Sequence, residues 1–198
     1  MAKLAVVAGL MALKAPGWVS ALIYAGRRIR RDGNTLDAKA QMICDIVALV
    51  RTTPVSELTP AESRSQLATF AKLLGGGPTP VGKTEDLTIP GPAGDIAARL
   101  YRPMNAAEGS LPVLVFYHGG GWIQGDIDVH DEPCRLVANA SGGLVISIDY
   151  RLAPEHKFPA GVDDCLAAFR WVRDHADEIG ADAGRIAVGG DSAGGNLS

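Results

Sequence analysis

Gly190-Asp191-Ser192-Ala193-Gly194 is the stretch that decides the fold of this 198-residue chain. It matches G-x-S-x-G, and its surroundings suit the motif: Arg185 to Val188 reads as a strand, and Ala193 onward opens a helix. A serine at so sharp a strand-to-helix turn is held in a strained backbone conformation, with its hydroxyl above the sheet. Glycines two residues to either side let strand and helix approach without side-chain clashes. The helix N-terminus favours negative charge developing beside it. Alone, the pentapeptide is a modest signal, because glycine-rich strand-to-helix turns also occur in nucleotide-binding folds. Here the P-loop lysine and the full GxGxxG spacing are missing.

A second motif lies upstream. His118-Gly119-Gly120-Gly121-Trp122 directly follows Val113 to Tyr117, a short continuous apolar run of the kind a buried central strand requires. Acyl transfer creates an oxyanion that needs backbone N–H donors placed in advance, and consecutive glycines let the main chain turn inward to aim them. A loop of this kind serves as the oxyanion element of lipases and esterases. The competing reading is a tight glycine turn. The order of the two motifs, each after its strand, favours the first.

The rest of the chain fits around these points. Leu144 to Ile148 is another apolar strand, and Asp131 to Ala140 is a candidate helix. Pro159 to Ile179 reads as a longer helix with Val162, Cys165, Leu166, Phe169, Val172, Ala176 and Ile179 on its core face, stopped by Gly180. Thr84 to Ile89 and Ile96 to Tyr101 read as strands joined by Pro90-Gly91-Pro92-Ala93-Gly94. Two opening strands followed by strand–helix alternation predict an α/β sheet, mostly parallel.

The first 80 or so residues read as helical. Leu36, Ala40, Ile43, Val47 and Val50 recur at helical spacing. Thr59-Pro60-Ala61-Glu62 is a capping box with proline at the first helical position, followed by the apolar stripe Leu67, Phe70, Ala71 and Leu74. Gly75-Gly76-Gly77-Pro78 ends that helix and forms a linker.

Composition narrows the function classes. The chain is 47% hydrophobic and 21% charged, as soluble globular domains are, and its net charge of -3 implies no large basic face for nucleic acid. Cys44, Cys134 and Cys165 are far apart and form no CxxC pair, so neither a metal site nor any other cofactor is expected. Leu4 to Leu13 is apolar after Lys3, like a short signal-peptide core, but Lys14, Pro16 and Gly17 interrupt it before a spanning length. Trp18 to Ala25 is apolar again, and Arg27, Arg28, Arg30 and Arg31 follow. A basic cluster beside an apolar helix suits an anionic membrane surface. The expectation is a cytoplasmic protein, with weak membrane-surface association through the N-terminus as the alternative. No motif indicates an oligomeric state.

His118-Gly119-Gly120-Gly121, Asp149-Tyr150-Arg151-Leu152-Ala153-Pro154-Glu155 and Gly190-Asp191-Ser192-Ala193-Gly194-Gly195-Asn196 together resemble the hormone-sensitive-lipase family of esterases, over about Thr84 to Asn196. The resemblance implies an α/β-hydrolase fold: a mostly parallel sheet with flanking helices and an N-terminal helical cap over the acyl pocket. Residues 1–80 would be the cap region and residues 81–198 the N-terminal part of the catalytic domain. It implies Ser192 as catalytic nucleophile and an oxyanion hole from the amides of Gly120, Gly121 and Ala193, with Gly119 shaping the loop. The implied partners are small-molecule esters of short to medium chain length.

Only six residues follow Ser192, whereas in this fold the triad acid and histidine come downstream. Both are expected to be absent from these residues, and the fold to be C-terminally truncated, with the Arg185–Val188 strand lacking a neighbour. A small-molecule binding module, an inactive fragment and an amide hydrolase remain as competing readings.

The other polar residues have structural expectations. His118 heads the glycine loop and is expected to orient it rather than act as base. His156 reads as structural or pocket-edge, and His130 and His175 as surface or helix-flank residues. Asp191 is expected to be structural. Asp149, Tyr150, Arg151 and Glu155 would brace one another, while Asp163 and Asp164 complement the dipole of their helix. Trp122 lines the pocket or simply packs.

Overall fold

A computed structural model describes residues 2–50, 53–75 and 77–198, with side chains from residue 6 onward. Gly76 of the linker, and the side chains of Lys3 and Leu4, lie outside the described residues. The chain forms two compact units, Met1–Leu58 and Thr59–Ser198.

The first unit holds helices α1 (Ala2–Lys14), α2 (Gly17–Ile23) and α3 (Ala38–Val50). It is not wholly helical. Strands β1 (Arg30–Arg31) and β2 (Asn34–Thr35) form a two-stranded antiparallel ribbon between α2 and α3. Asp37 caps α3, its Oδ1 accepting the N–H groups of Lys39 at 2.8 Å and Ala40 at 3.2 Å.

The buried face of α3 is Ala38, Gln41, Met42 and Ile46, displaced from the expected stripe, and Ile43 is exposed. The cause is Gln41. Its amide accepts the Ile29 N–H and donates to the Arg27 carbonyl, both at 3.0 Å. A polar side chain that satisfies two loop backbone groups can be buried in place of an aliphatic one. Periodicity of apolar residues alone misses it.

In the second unit, α4 (Pro60–Leu74) carries the expected capping box: Thr59 Oγ1 accepts the Glu62 N–H, and Glu62 accepts the Thr59 N–H at 2.8 Å. A five-stranded sheet follows, built from β3 (Lys83–Gly91), β4 (Gly94–Arg102), β5 (Leu111–Tyr117), β6 (Leu144–Ile148) and β7 (Ala181–Gly190). Its spatial order is β3-β4-β6-β5-β7. The first three neighbours pair antiparallel, and β6, β5 and β7 run parallel.

Helix α6 (Ala160–Asp174) covers one face of the sheet, where Val113, Val115, Leu144, Ile146 and Ile148 meet Cys165, Ala168 and Val172. Helix α5 (Asp131–Ser141) covers the other, where Tyr101, Phe116 and Val145 meet Cys134 and Ala138. Alternate residues of the same strands therefore feed two cores, which explains their continuous apolar runs.

Helix α6 is shorter than expected. It ends at Asp174, and irregular turns carry Ala176 and Ile179 into the core before Gly180. Val162 and Leu166 are exposed rather than buried, while Asp164 is only 1% exposed. The helix buries Asp164 beside the expected Cys165 and Val172 and turns Val162 and Leu166 outward. Strand β7 is an edge strand, pairing with β5 alone among the described residues, and Val188 on it is exposed.

Candidate active site

Ser192 stands between β7 and the short helix α7 (Ala193–Leu197), at φ 50° and ψ -113°. A non-glycine residue so far into positive φ stores roughly 1–3 kcal/mol of backbone strain. The flanking glycines explain how the turn is held. A Cβ at Gly190 or Gly194 would collide with the Tyr117 carbonyl at the end of β5. The elbow thus packs directly on the strand that leads into the glycine loop.

Beyond Tyr117 the chain enters His118, which is fully buried, and then the three glycines. Gly120 has φ 128° and Gly121 φ 62°, conformations that L side chains rarely adopt. The Gly120 carbonyl accepts the N–H groups of Ile123 and Gln124, closing the loop into a turn. The Gly120 and Gly121 N–H groups have no acceptor among the described residues. Ala193 is the first residue of α7, where backbone N–H groups lack intrahelical partners. The Gly119 N–H is different. It donates to Asp191 Oδ1 at 2.8 Å, so it ties the loop to the elbow.

The histidine before the loop is clamped. His118 lies between the ring of Tyr150, with centroids 4.3 Å apart, and that of His130, 5.3 Å away. Its Nδ1 is 2.9 Å from the Gly119 carbonyl and, as the donor, fixes the Nδ1–H tautomer. The Tyr150 hydroxyl donates to the His118 carbonyl at 2.7 Å. Burial, only partly offset by the Gly119 carbonyl, pushes the His118 pKa below its ordinary value, so the ring is neutral at pH 7. These contacts make it a brace of the loop.

His130 flanks a helix, one of its two expected places, standing at the N-terminal cap of α5, but it is not on the surface. Its side chain is 12% exposed, stacks on His118, and brings Nε2 to 3.4 Å from Asp191 Oδ1. His175 does flank a helix: it ends α6, with Nδ1 2.9 Å from the Trp171 carbonyl. His156 lies in an exposed loop at a cleft.

The expected mutual brace of Asp149, Tyr150, Arg151 and Glu155 divides among other partners. Arg151 grips buried Asp164 of α6 with two 2.8 Å bonds, so Asp164 is an ion-pair partner rather than a dipole complement. Glu155 pairs with Arg64 of α4 through bonds of 2.9 and 2.7 Å. Arg64 also donates to the carbonyls of Ile123 at 2.7 Å and Ala153 at 3.0 Å. One side chain thereby ties α4 both to the glycine-loop turn and to the segment after β6. Nothing in the local sequence around Arg64 signals this. Asp149 is exposed, yet the protein around it, with Asp126 and Asp128, pushes its carboxyl up to about 6.

A cleft of about 460 Å³ adjoins the site, lined by Gly121, Trp122, Ile123, Phe158, Val162 and Leu197 among others. Trp122 is thus a cleft residue, with φ 61° and 47% exposure. Among the described residues no cluster of His, Cys, Asp or Glu is suited to a metal ion. Cys134 and Cys165 are buried, and burial pushes each thiol up to about 12.

Comparison with known proteins agrees with this geometry. Residues 114–198 match a family described as having the alpha/beta hydrolase fold. Carboxylic ester hydrolase LipN of Mycobacterium tuberculosis is 50% identical over 182 residues, covering 89% of this chain and 47% of that protein. Carboxylesterase NlhH of the same species is 55% identical over 104 residues, covering 52% of this chain and 32% of its own length. An ester-hydrolase from the metagenome of Lake Arreo, solved with a bipyridine phosphonate derivative, has a TM-score of 0.73 at 46% identity, covering 78% of this chain and 49% of that one. The hyperthermophilic esterase of Pyrobaculum calidifontis has a TM-score of 0.72 at 46% identity, covering 79% and 49%. The chain spans about half or less of the length of the curated relatives it matches.

Proposed function

This chain carries the α/β-hydrolase fold of the hormone-sensitive-lipase-like esterases, and from that premise we propose that it serves hydrolysis of carboxylic esters through an acyl-enzyme on Ser192. The observation that carries the reading is the elbow itself: Ser192 at φ 50°, joined through Asp191 to a loop whose Gly120 and Gly121 N–H groups have no acceptor among the described residues.

In the proposed reaction Ser192 Oγ attacks the ester carbonyl carbon and gives its proton to a base. The carbonyl electron pair moves to oxygen, and the N–H groups of Gly120, Gly121 and Ala193 stabilise that charge. Collapse expels the alcohol, which takes up the proton, and leaves acyl-Ser192. Water repeats the attack and releases the acid. The cleft beside Trp122 and Phe158 suits an acyl or alkyl group of short to medium length. The Gly119 amide, engaged by Asp191, positions the loop instead of binding the oxyanion.

None of the described residues hydrogen-bonds the Ser192 hydroxyl, so the base is a requirement that His118, His130, His156 and His175 do not meet in this geometry. Losing the base of a triad costs about 10⁶-fold in rate, while the hole and binding retain roughly 10³–10⁴ over water. An activated ester is therefore the discriminating substrate. Incubation with p-nitrophenyl acetate should leave one acetyl group on the chain by intact-mass measurement, persistent because deacylation also needs a base. The Ser192→Ala chain should remain unmodified. Equal labelling of both chains, or labelling of neither, rejects the reading. Fast serine-dependent turnover would show instead that residues 1–198 contain a base.

A further inference from the structure

The two units differ in charge. Residues 1–58 hold eight Lys and Arg against four Asp and Glu, whereas residues 59–198 hold eleven against eighteen. In the first unit the positive charge gathers where α2 runs into the β1–β2 ribbon, with Arg27, Arg30 and Arg31 exposed. Two of the unit's carboxylates are turned to the protein: Asp37 caps α3, and Asp45 accepts the Tyr24 hydroxyl at 2.6 Å. Asp32 pairs with Arg31 at 3.6 Å, both fully in solvent.

The same unit exposes apolar side chains in register. On α1, Val7 and Met11 are one turn apart and exposed, and on α2, Trp18 and Leu22 repeat the arrangement at 65% and 66% exposure. Ile23 and Ile29 are exposed as well, and Arg30 follows Ile29 in the chain. The opposite sides of these helices are already used. Val6, Leu10 and Leu13 pack with Ala38, Met42 and Ile46, while Ser20 and Tyr24 are buried. Single exposed apolar residues are ordinary, but an exposed pair at helical spacing on each of two successive helices, in a unit whose arginines are also exposed, is not.

We propose that the first unit docks on an anionic lipid surface. Trp18 and Leu22, with Val7 and Met11, enter the boundary between headgroups and acyl chains. Arg27, Arg30 and Arg31 sit over the lipid phosphates. Charge complementarity selects this occupant, and tryptophan beside arginine is the composition that membrane interfaces favour. Among the described residues no helix is long and apolar enough to cross a membrane, so the unit lies on the surface. The proposal rests on the first unit and is independent of the esterase reading.

The test is co-sedimentation of the whole chain with mixed phosphatidylglycerol–phosphatidylcholine vesicles and with pure phosphatidylcholine vesicles, at low and high salt. Binding is expected to the anionic vesicles and to fall with salt. Each arginine removed should weaken it about fivefold, so Arg30→Gln with Arg31→Gln should weaken it on the order of twentyfold. Trp18→Gln with Leu22→Gln should weaken it more than about tenfold while the circular dichroism spectrum is retained. Should that pair unfold, Val7→Gln with Met11→Gln tests the same face. Absence of binding to anionic vesicles overturns the proposal, as does binding that ignores both pairs. It is equally overturned if the apolar pair changes only self-association by light scattering, because a second copy would then cover the face.

Discussion

The Asp191 carboxylate accepts the Gly119 N–H at 2.8 Å, a bond between residues 72 apart in the chain that joins the serine elbow to the glycine loop. Two loops held in strained conformations are thereby referenced to each other, and the same carboxylate has His130 Nε2 at 3.4 Å. Side chain and amide act here as a positioning strut, since neither Asp191 nor Gly119 has to touch a reacting atom for the geometry to depend on them.

Asp191→Ala should leave the Gly119 N–H without its acceptor at a cost of about 1–3 kcal/mol. Urea denaturation measures this. Asp191→Asn keeps an acceptor oxygen and should lose less. On the proposed function, acetylation of Ser192 by p-nitrophenyl acetate should slow in the alanine variant more than in the asparagine one. If the two variants match the parent in both stability and labelling, the strut has no role.

Asp164 is 1% exposed and its carboxylate is matched by the Arg151 fork. Asp164→Ala leaves the Arg151 guanidinium without its partner and should destabilise the second unit by about 3–5 kcal/mol. Thermal unfolding followed by circular dichroism reads the loss. A change below about 1 kcal/mol would mean that the pair only compensates its own desolvation.

Arg64 joins α4 to Ile123, Ala153 and Glu155. Arg64→Ala and Glu155→Gln should each lower the melting temperature, Arg64→Ala by more, because it also gives up the bonds to the Ile123 and Ala153 carbonyls. The double variant should lose less than the sum of the two. Arg64→Lys should behave nearly like the alanine change, because an ammonium cannot span a carboxylate and two carbonyls as a planar guanidinium does. Additive single losses would show that the two residues do not act as one contact.

Asp149 carries a sign that can be tested. Although Asp149 is exposed, its folded-state pKa is raised to about 6, first by the desolvation that the surrounding protein imposes and then by Asp126 and Asp128, above the value of about 3.9 expected unfolded. The fold therefore favours the protonated form. The stability this confers is fully present below about pH 4 and is lost as pH rises towards 6. Asp149→Asn should raise the melting temperature at pH 7, leave it nearly unchanged at pH 4, and flatten the profile between. A fall at pH 7 would show that the ionised carboxylate is stabilising instead.

The elements that sequence reading located well are those whose cause is local. The capping box at Thr59 and Glu62, the strand hairpin through Pro92 and Ala93, and the apolar run Leu144–Ile148 each follow from neighbouring residues. The errors share a different origin. Gln41 and Asp164 are buried polar groups made acceptable by partners 12 to 14 residues away; Gln41 goes with a displaced stripe on α3, while α6 keeps Cys165 and Val172 inward and loses only Val162 and Leu166. His130 is drawn inward by stacking on His118 and by Asp191.

The two glycine-bearing motifs, in order and each after an apolar strand, were enough to determine the α/β-hydrolase fold, because the backbone conformations they need are ones that few residues other than glycine allow. They could not say how the motifs are held relative to each other. That was decided by Asp191 with Gly119, by His118 between Tyr150 and His130, and by Arg64 across α4. Such contacts join residues with no regular spacing along the chain. They arise only when the sheet brings distant segments together and each buried polar group must find a partner there.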